Sequence, residues 1–512
     1  MTNTQLLLDA GLVLAALGLL AHFTRRKQPA PYPPGPKGYP IIGNLLDMPT
    51  KLPWITYMQW GQKFGDIVHV NVVGEHVVVL NSAKQAAALL NKKSSITADR
   101  PTLEMASEQL GWKNALALTP YGHRFREYRK YFHMTMGTKS LVERHYDLMI
   151  EENRKFLRRV LHSKEDIGVE IRKNAGAIIL KLAYGYYIDE DNDSIVHLVE
   201  RAMDTLAAGT TPGAWFVDYF PFLRYLPSWV PGAGFKKQAK WMKELVSDMA
   251  SVPYELTKQK IESNVELPPN LMSDCIDTKK LDADTEYHIK WAAASIYSGG
   301  ADTTVSAIHS FILAITLYPE VQKRAQAEID LVVGNDRFPT FEDRAQLPYI
   351  EAIVKEIFRW KPLAPTTLPH RMMEDVIHEG YLIPKGTSVF GNIWYAWAIF
   401  YDPEAYPNPE VFDPSRHVTE TGEPTDGPNV YDVCFGYGRR ICPGMHFADA
   451  SVFIWCAMIL AVYDVSKAVE NGKPVEPVDA YTTGAVSHPK PFKYAIKPRS
   501  DKAERLILSL DS

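Results

Sequence analysis

Cysteine is scarce in this chain. Four residues, Cys275, Cys434, Cys442 and Cys456, serve 512 positions. They are too few for a disulfide scaffold, and no two form a C-x-x-C zinc or redox pair. A body in a reducing compartment fits best. Basic charge in excess is lacking too: 56 Lys and Arg face 60 Asp and Glu, for a net charge of −4. That excludes binding that runs mainly on phosphate neutralisation and argues against nucleic acid as a partner. Glycine and proline number 31 and 36, well short of the roughly 25–30% that marks low complexity. With 46% hydrophobic and 11% aromatic residues, the bulk can fill a core and is not disordered. No internal repeat and no charge block stands out, so one large domain is favoured over several small ones.

The first residues differ from the rest. From Leu6 to Phe23 the only ionised residue is Asp9, and Arg25-Arg26-Lys27 follows at once. The run is close to the ~20 residues that span a bilayer. A cleaved leader carries its basic residues before the apolar run rather than after it, so residues 1–27 read as a transmembrane signal-anchor with the body cytosolic. A surface-lying amphipathic helix is the alternative, because Asp9 is costly in a span. Residues 28–44, including Pro31-Tyr32-Pro33-Pro34-Gly35-Pro36, form a proline-rich hinge, since proline fixes φ and removes donors. Residues 45–512 form the body. Ile67 to Asn81 alternates valines around Gly74-Glu75 and reads as a β-hairpin. Helical periodicity covers 141–161, 171–187, 284–317, 319–333, 347–359 and 445–465. The fold class is mainly α with small β-sheets.

The chemistry gathers at residues 435–444. Phe435-Gly436-Tyr437-Gly438-Arg439-Arg440-Ile441-Cys442-Pro443-Gly444 puts one cysteine between a glycine-bearing turn and a long apolar helix. The helix N-terminus and Arg439 or Arg440 favour a thiolate there. Cys434 lacks that setting and reads as core. The segment resembles the haem-binding signature of the cytochrome P450 superfamily, Phe-x-x-Gly-x-Arg-x-Cys-x-Gly, at all five fixed positions. The resemblance implies that Cys442 is the iron's thiolate ligand in a haem b and that Phe435 and Gly436 belong to the cofactor loop. Other segments follow in the right order. Glu356 and Arg359 resemble the family's Glu-x-x-Arg pair, and Arg416 the arginine that completes its triad. Ser298-Gly299-Gly300-Ala301-Asp302-Thr303-Thr304 weakens the longest helical pattern and predicts a local opening there. It resembles the family's oxygen-activating segment, in which Asp302 and Thr303 would relay protons to dioxygen. Arg129 resembles the family's propionate-binding arginine, with Phe125 where a tryptophan is usual. Arg440, His370 and Arg100 are the further donors that two haem carboxylates require, although His370 reads equally as a core histidine.

By the same resemblance, substrate meets Ala301, Leu363, Ala364, Pro365, Leu368, Ala485 and Val486, which are apolar or small and imply a neutral, lipophilic molecule. Trp215, Phe216, Tyr219, Phe220, Phe222, Tyr225 and Trp229 read either as a patch dipping into the bilayer or as core packing. No glycine-rich flavin or nicotinamide fingerprint follows a strand. The implied electron source is therefore NADPH acting through a separate cytochrome P450 reductase, with cytochrome b5 as an optional second donor. The implied enzyme is a fungal microsomal monooxygenase of the endoplasmic reticulum membrane. It would use O2 on a secondary metabolite or a xenobiotic. Against it stand a haem-thiolate sensor without turnover and a peroxide-using or rearranging enzyme, and intact Asp302 and Thr303 favour oxygen activation.

Overall fold

The computed structural model describes residues 28–163, 166–189, 193–211, 213–230, 232–276, 281–393 and 399–509. The anchor expected at 1–27 lies outside them. Residues 31–38 carry neither helix nor strand, as their prolines require. The hinge is fastened rather than free. Tyr32 stacks on His69 and His76 with ring centroids 4.9 Å away in each case. The His69 N–H donates to the Pro34 carbonyl at 3.0 Å, and the Leu382 N–H to that of Pro31 at 2.8 Å. No Cβ would fit at Gly35 against the His69 carbonyl.

Helix α1 (Pro53–Phe64) leads into strands β1 (Ile67–Val72) and β2 (Glu75–Leu80), the expected hairpin, with Ile67 opposite Leu80 and Val72 opposite Glu75. Its two turn residues have φ of +52° at Val73 and +91° at Gly74, the primed geometry that matches strand twist. The principal helices that follow are α2 (His123–Met136), α3 (Tyr146–His162), α4 (Ile167–Tyr184), α5 (Ser194–Thr210), α6 (Phe235–Glu262), α7 (Ala283–Leu317), α8 (Pro319–Val332) and α9 (Pro348–Trp360). Strands β3 (His370–Arg371) and β4 (Ser388–Gly391), helix α10 (Met445–Val462), and strands β5 (Tyr463–Lys467) and β6 (Tyr494–Pro498) complete the frame. One sheet runs β1-β2-β4-β3, with β2 and β4 parallel, and β5 pairs with β6.

Asp side chains start three of the helices by accepting orphan N–H groups: Asp166 for α4, Asp193 for α5 and Asp282 for α7. The single helix expected over 141–161 breaks at His145, which lies outside helical geometry at φ −111°, ψ 6°. The helix expected to reach 465 stops at Val462, where the chain turns into β5. Helix α6 continues through Pro253, a residue that usually ends a helical pattern. Helix α7 is central, packed against α4, α2, α6 and α10. Helices α7 and α10 are long and apolar enough to cross a membrane, but most of each apolar stretch is buried within the body, so both read as core helices. Trp455 of α10 donates from Nε1 to Asn174 Oδ1 of α4 at 3.2 Å, which satisfies two polar groups inside that core.

Candidate active site around Cys442

The loop that carries Cys442 is shaped by its glycines. Gly436 and Gly438 have φ of +78° and +56°, and a Cβ at Gly438 would collide with the Leu90 carbonyl and Ser94. The Gly438 N–H donates to Asn91 Oδ1 at 2.6 Å. The Phe435 carbonyl accepts from the Cys442 N–H at 2.8 Å, and its ring packs on Phe358 with centroids 5.2 Å apart. Cys442 keeps an exposed side chain although protein surrounds it densely. Burial raises its thiol above the usual range, and only the Gly444 N–H and Arg129 pull it back. The expectation of a thiolate made by Arg439 or Arg440 is therefore corrected. Arg439 donates to Tyr121 OH at 2.6 Å and Arg440 turns to backbone carbonyls, so the cation acting on the sulfur is Arg129. It reaches the loop by donating to the Ile441 carbonyl at 2.6 Å.

The expected donors gather beside this loop. Arg440 is buried and donates to the carbonyls of Ala98 at 2.6 Å, Thr119 at 2.8 Å and Leu116 at 3.4 Å. Its guanidinium lies 4.0 Å from the Phe125 ring centroid, so phenylalanine supplies a cation–π face where an indole donor is missing. Arg100, also buried, donates to the carbonyls of Ala117 at 2.9 Å and of Leu368 and Pro369 at 2.8 Å. Burial, joined by the charge of Arg100, pushes Arg440 down to about 8, and burial pushes Arg100 to about 10, with Asp99 offsetting only part in each case. Among the described residues, no ion pair with a carboxylate is formed by Arg100, Arg129 or Arg440. Uncompensated buried cations are costly, so the cluster fits a ligand that brings its own anions, as the two carboxylates of a haem would. His370 is different. It is buried with Nδ1 2.9 Å from the Thr97 carbonyl, and burial beside Arg100 and Arg440 pushes it down to about 3. A neutral ring donating from Nδ1 keeps only an acceptor at Nε2.

Helix α7 passes 298–304 without interruption, so the expected opening is absent. Thr303 and Thr304 do bond back, donating to the carbonyls of Gly299 and Gly300 at 2.7 Å each, yet the helix runs on through them. A Cβ at Gly300 would lie 2.7 Å from Ile179 Cδ1, so that side chain would have to shift, whereas beside Gly299 there is open space. Asp302 Oδ1 lies 3.1 Å from His488 Nε2 and 3.6 Å from Arg172. Burial would raise that carboxyl, but His488 and then Arg172 outweigh it and hold it below the usual range. Ser295 of the same helix accepts from the Leu116 N–H at 2.9 Å. Leu116 thus bridges α7 to Arg440.

Below the loop, Arg359 grips Glu356 with two bonds of 2.8 and 2.7 Å, both side chains being fully buried. Arg416 lies 3.5 Å from the same carboxylate and His417 Nε2 2.9 Å. His417, which no sequence motif singled out, makes the triad a tetrad. Of the aromatic segment, Phe216, Phe222, Tyr225 and Trp229 are exposed, so core packing does not describe those four.

A cysteine at the mouth of a core helix and three arginines that, among the described residues, form no ion pair with a carboxylate are the features a bound haem would require. The cytochrome P450 family model matches residues 33–496. The chain belongs to the cytochrome P450 family and is a haem-thiolate monooxygenase, an oxidoreductase. It is 48% identical over 512 residues to cytochrome P450 monooxygenase 208 of Postia placenta, covering 100% of this chain and 99% of that protein. Cytochrome P450 monooxygenase claR of Ampulloclitocybe clavipes is 43% identical over 508 residues, with 99% and 93% covered. Tryptamine 4-monooxygenase of Psilocybe cyanescens is 38% identical over 510 residues, with 97% and 99% covered.

Proposed function

We propose that this chain inserts one atom of dioxygen into a neutral, lipophilic small molecule, with electrons drawn from NADPH through a separate membrane-bound cytochrome P450 reductase and cytochrome b5 as an optional second donor. The observation that carries the reading is the cluster of Arg100, Arg129 and Arg440 beside the Cys442 loop, which among the described residues bond to backbone carbonyls and form no ion pair with a carboxylate. Cys442 would hold the haem iron and the three arginines its carboxylates, while Phe435 and Gly436 shape the loop and His370 packs beneath the arginines. When bound, the haem supplies the binding and reduction of dioxygen. The protein's share is to hold a proton at the Asp302 carboxyl, pass it through the Thr303 hydroxyl, and line the site with apolar surface at Ala301, Leu363 and Val486.

Residues 1–27 and the exposed aromatic segment would seat the body on the endoplasmic reticulum membrane, so that substrate arrives from lipid. Secondary metabolites and xenobiotics are the substrates to try first. The test is product analysis of reductase-containing microsomes fed terpenes, polyketides, steroids and polycyclic aromatics. A product of mass +16 from one class, dependent on NADPH and absent without reductase, is expected. Turnover supported by peroxide alone, or an isomerised product, would overturn the reading.

A further inference from the structure

The turn 481–489 lies against α7 beside Asp302. Tyr481 bridges Pro489, the Thr482 N–H donates to the His488 carbonyl at 2.9 Å, and the His488 N–H returns to Thr482 Oγ1 at 3.0 Å. The turn is therefore closed on itself. Helix α7 holds it at two further points, through Ser306 Oγ to the Ser487 carbonyl at 2.6 Å and Tyr481 OH to Ser310 Oγ at 3.0 Å. His488 Nε2 is directed at Asp302, while its Nδ1 is buried with no hydrogen-bond partner among the described residues.

Adjacent residues of an α-helix do not face each other. Asp302, drawn to His488 and to Arg172 of α4, therefore points away from Thr303, whose hydroxyl is turned back to Gly299. A carboxylate so held does not serve Thr303 without first leaving His488. The other titratable neighbours are few. His309 of α7 is pushed down to about 4 by burial, with Arg172 and His488 pushing the same way and Asp166 opposing. Asp166 caps α4 by accepting from the Gly168 N–H at 2.7 Å and is 3.4 Å from Tyr494 OH.

We propose that His488 is a positioning residue of the monooxygenase reaction, a brake that keeps Asp302 charged and withdrawn until the turn 481–489 shifts. Once released, the carboxylate takes a proton from solvent hydronium, leaving water, and donates it to the Thr303 hydroxyl, which gives its own proton to the reduced dioxygen; the carboxylate is regenerated and nothing is oxidised in the relay. Val486 and Ala485 lie on this turn, so a molecule pressing on them loosens the brake. The inference rests on the role proposed for Asp302, and the experiment separates the two.

The full chain in reductase-containing microsomes, with no substrate added, is assayed for NADPH consumption across pH as His488→Gln, Asp302→Asn and the double variant. The purified full chain is followed by amide hydrogen exchange over 481–490. The carbon monoxide band of the reduced protein verifies haem loading, and His488→Asn replaces a glutamine variant that lacks it. His488→Gln should raise consumption about threefold, the worth of one partly exposed hydrogen bond to a carboxylate, and move the acid limb of the profile to higher pH. It should also speed exchange in the turn. Asp302→Asn should speed exchange equally, and the double variant should show neither the added consumption nor further exchange. If His488→Gln leaves consumption, profile and exchange unchanged while Asp302→Asn alters them, His488 is not the brake and the role of Asp302 stands. If Asp302→Asn alters none of them, both fall.

Discussion

Glu356 gathers several cations around one fully buried carboxylate. It is fully buried and faces Arg359, Arg416 and His417 at once, and it also accepts the Asp413 N–H at 2.9 Å. Removing it would leave Arg359 buried without a counter-charge, a loss of about 3 to 5 kcal/mol. Glu356→Ala should therefore melt well below the parent and lose haem-loaded protein, as a thermal scan followed by the visible spectrum would show. Thr303→Ala should behave differently, keeping ligand binding and NADPH consumption while diverting electrons to peroxide, because only proton placement is disturbed. Unchanged coupling would remove Thr303 from the relay. The residues legible in the sequence are those in short ordered motifs: the Cys442 loop, Glu356 with Arg359, and Asp302 with Thr303. His417 and His488 were not legible, since each meets its carboxylate across 61 positions or more, and nothing local marks a histidine that will face a buried acid.

Between elements, polar ties fasten the segment Glu104–Gln109 to the stretch beneath the aromatic patch. Asp218 accepts the Met105 N–H at 2.8 Å, and Arg224 donates to Glu104 at 2.9 Å. Burial, with Glu104 nearby, pushes the Asp218 carboxyl up to about 6 from 3.8. A folded-state value above the unfolded one favours folding below about 3.8, and that contribution is lost as pH rises through about 6. Above pH 6, then, the charged Asp218 is a cost. Asp218→Asn keeps the acceptor without the charge and should stabilise the protein by about 1 to 2 kcal/mol at pH 7.5, with a smaller gain at pH 5. Equal gains in thermal melts at both values would refute the burial argument. Elements with clean periodicity, α7 to α10 and the β1–β2 hairpin, were readable in the sequence. Helix α6 was not, because Pro253 interrupts its pattern while tertiary packing of Met249, Ala250 and Tyr254 holds it. The opening expected at Gly299-Gly300 is absent although the threonine hydroxyls bond back to those two carbonyls, in a helix packed against α4, α2, α6 and α10.

At the scale of the whole molecule, two groups of large apolar side chains are left exposed. Tyr219, Leu45, Met48 and Trp60 all pack against Val70, Val72 and Val77, while Ile41, Leu46, Phe222 and Trp229 are exposed. The proline hinge is docked on the body through Tyr32, against His69 and His76. A chain lacking residues 1–27 should still bind phospholipid vesicles. Phe222→Ser with Trp229→Ser should weaken that binding about tenfold, the loss expected when a partly inserted aromatic is removed. Unaltered co-sedimentation would mean that the patch faces water.

The central claim is that one sulfur, Cys442, makes this fold an oxygenase. The most direct test is the visible spectrum of the reduced, carbon monoxide-treated full chain. The red-shifted Soret band of a thiolate-bound haem should appear in the parent, persist in Cys434→Ala and vanish in Cys442→His. A band retained in folded Cys442→His would contradict the account.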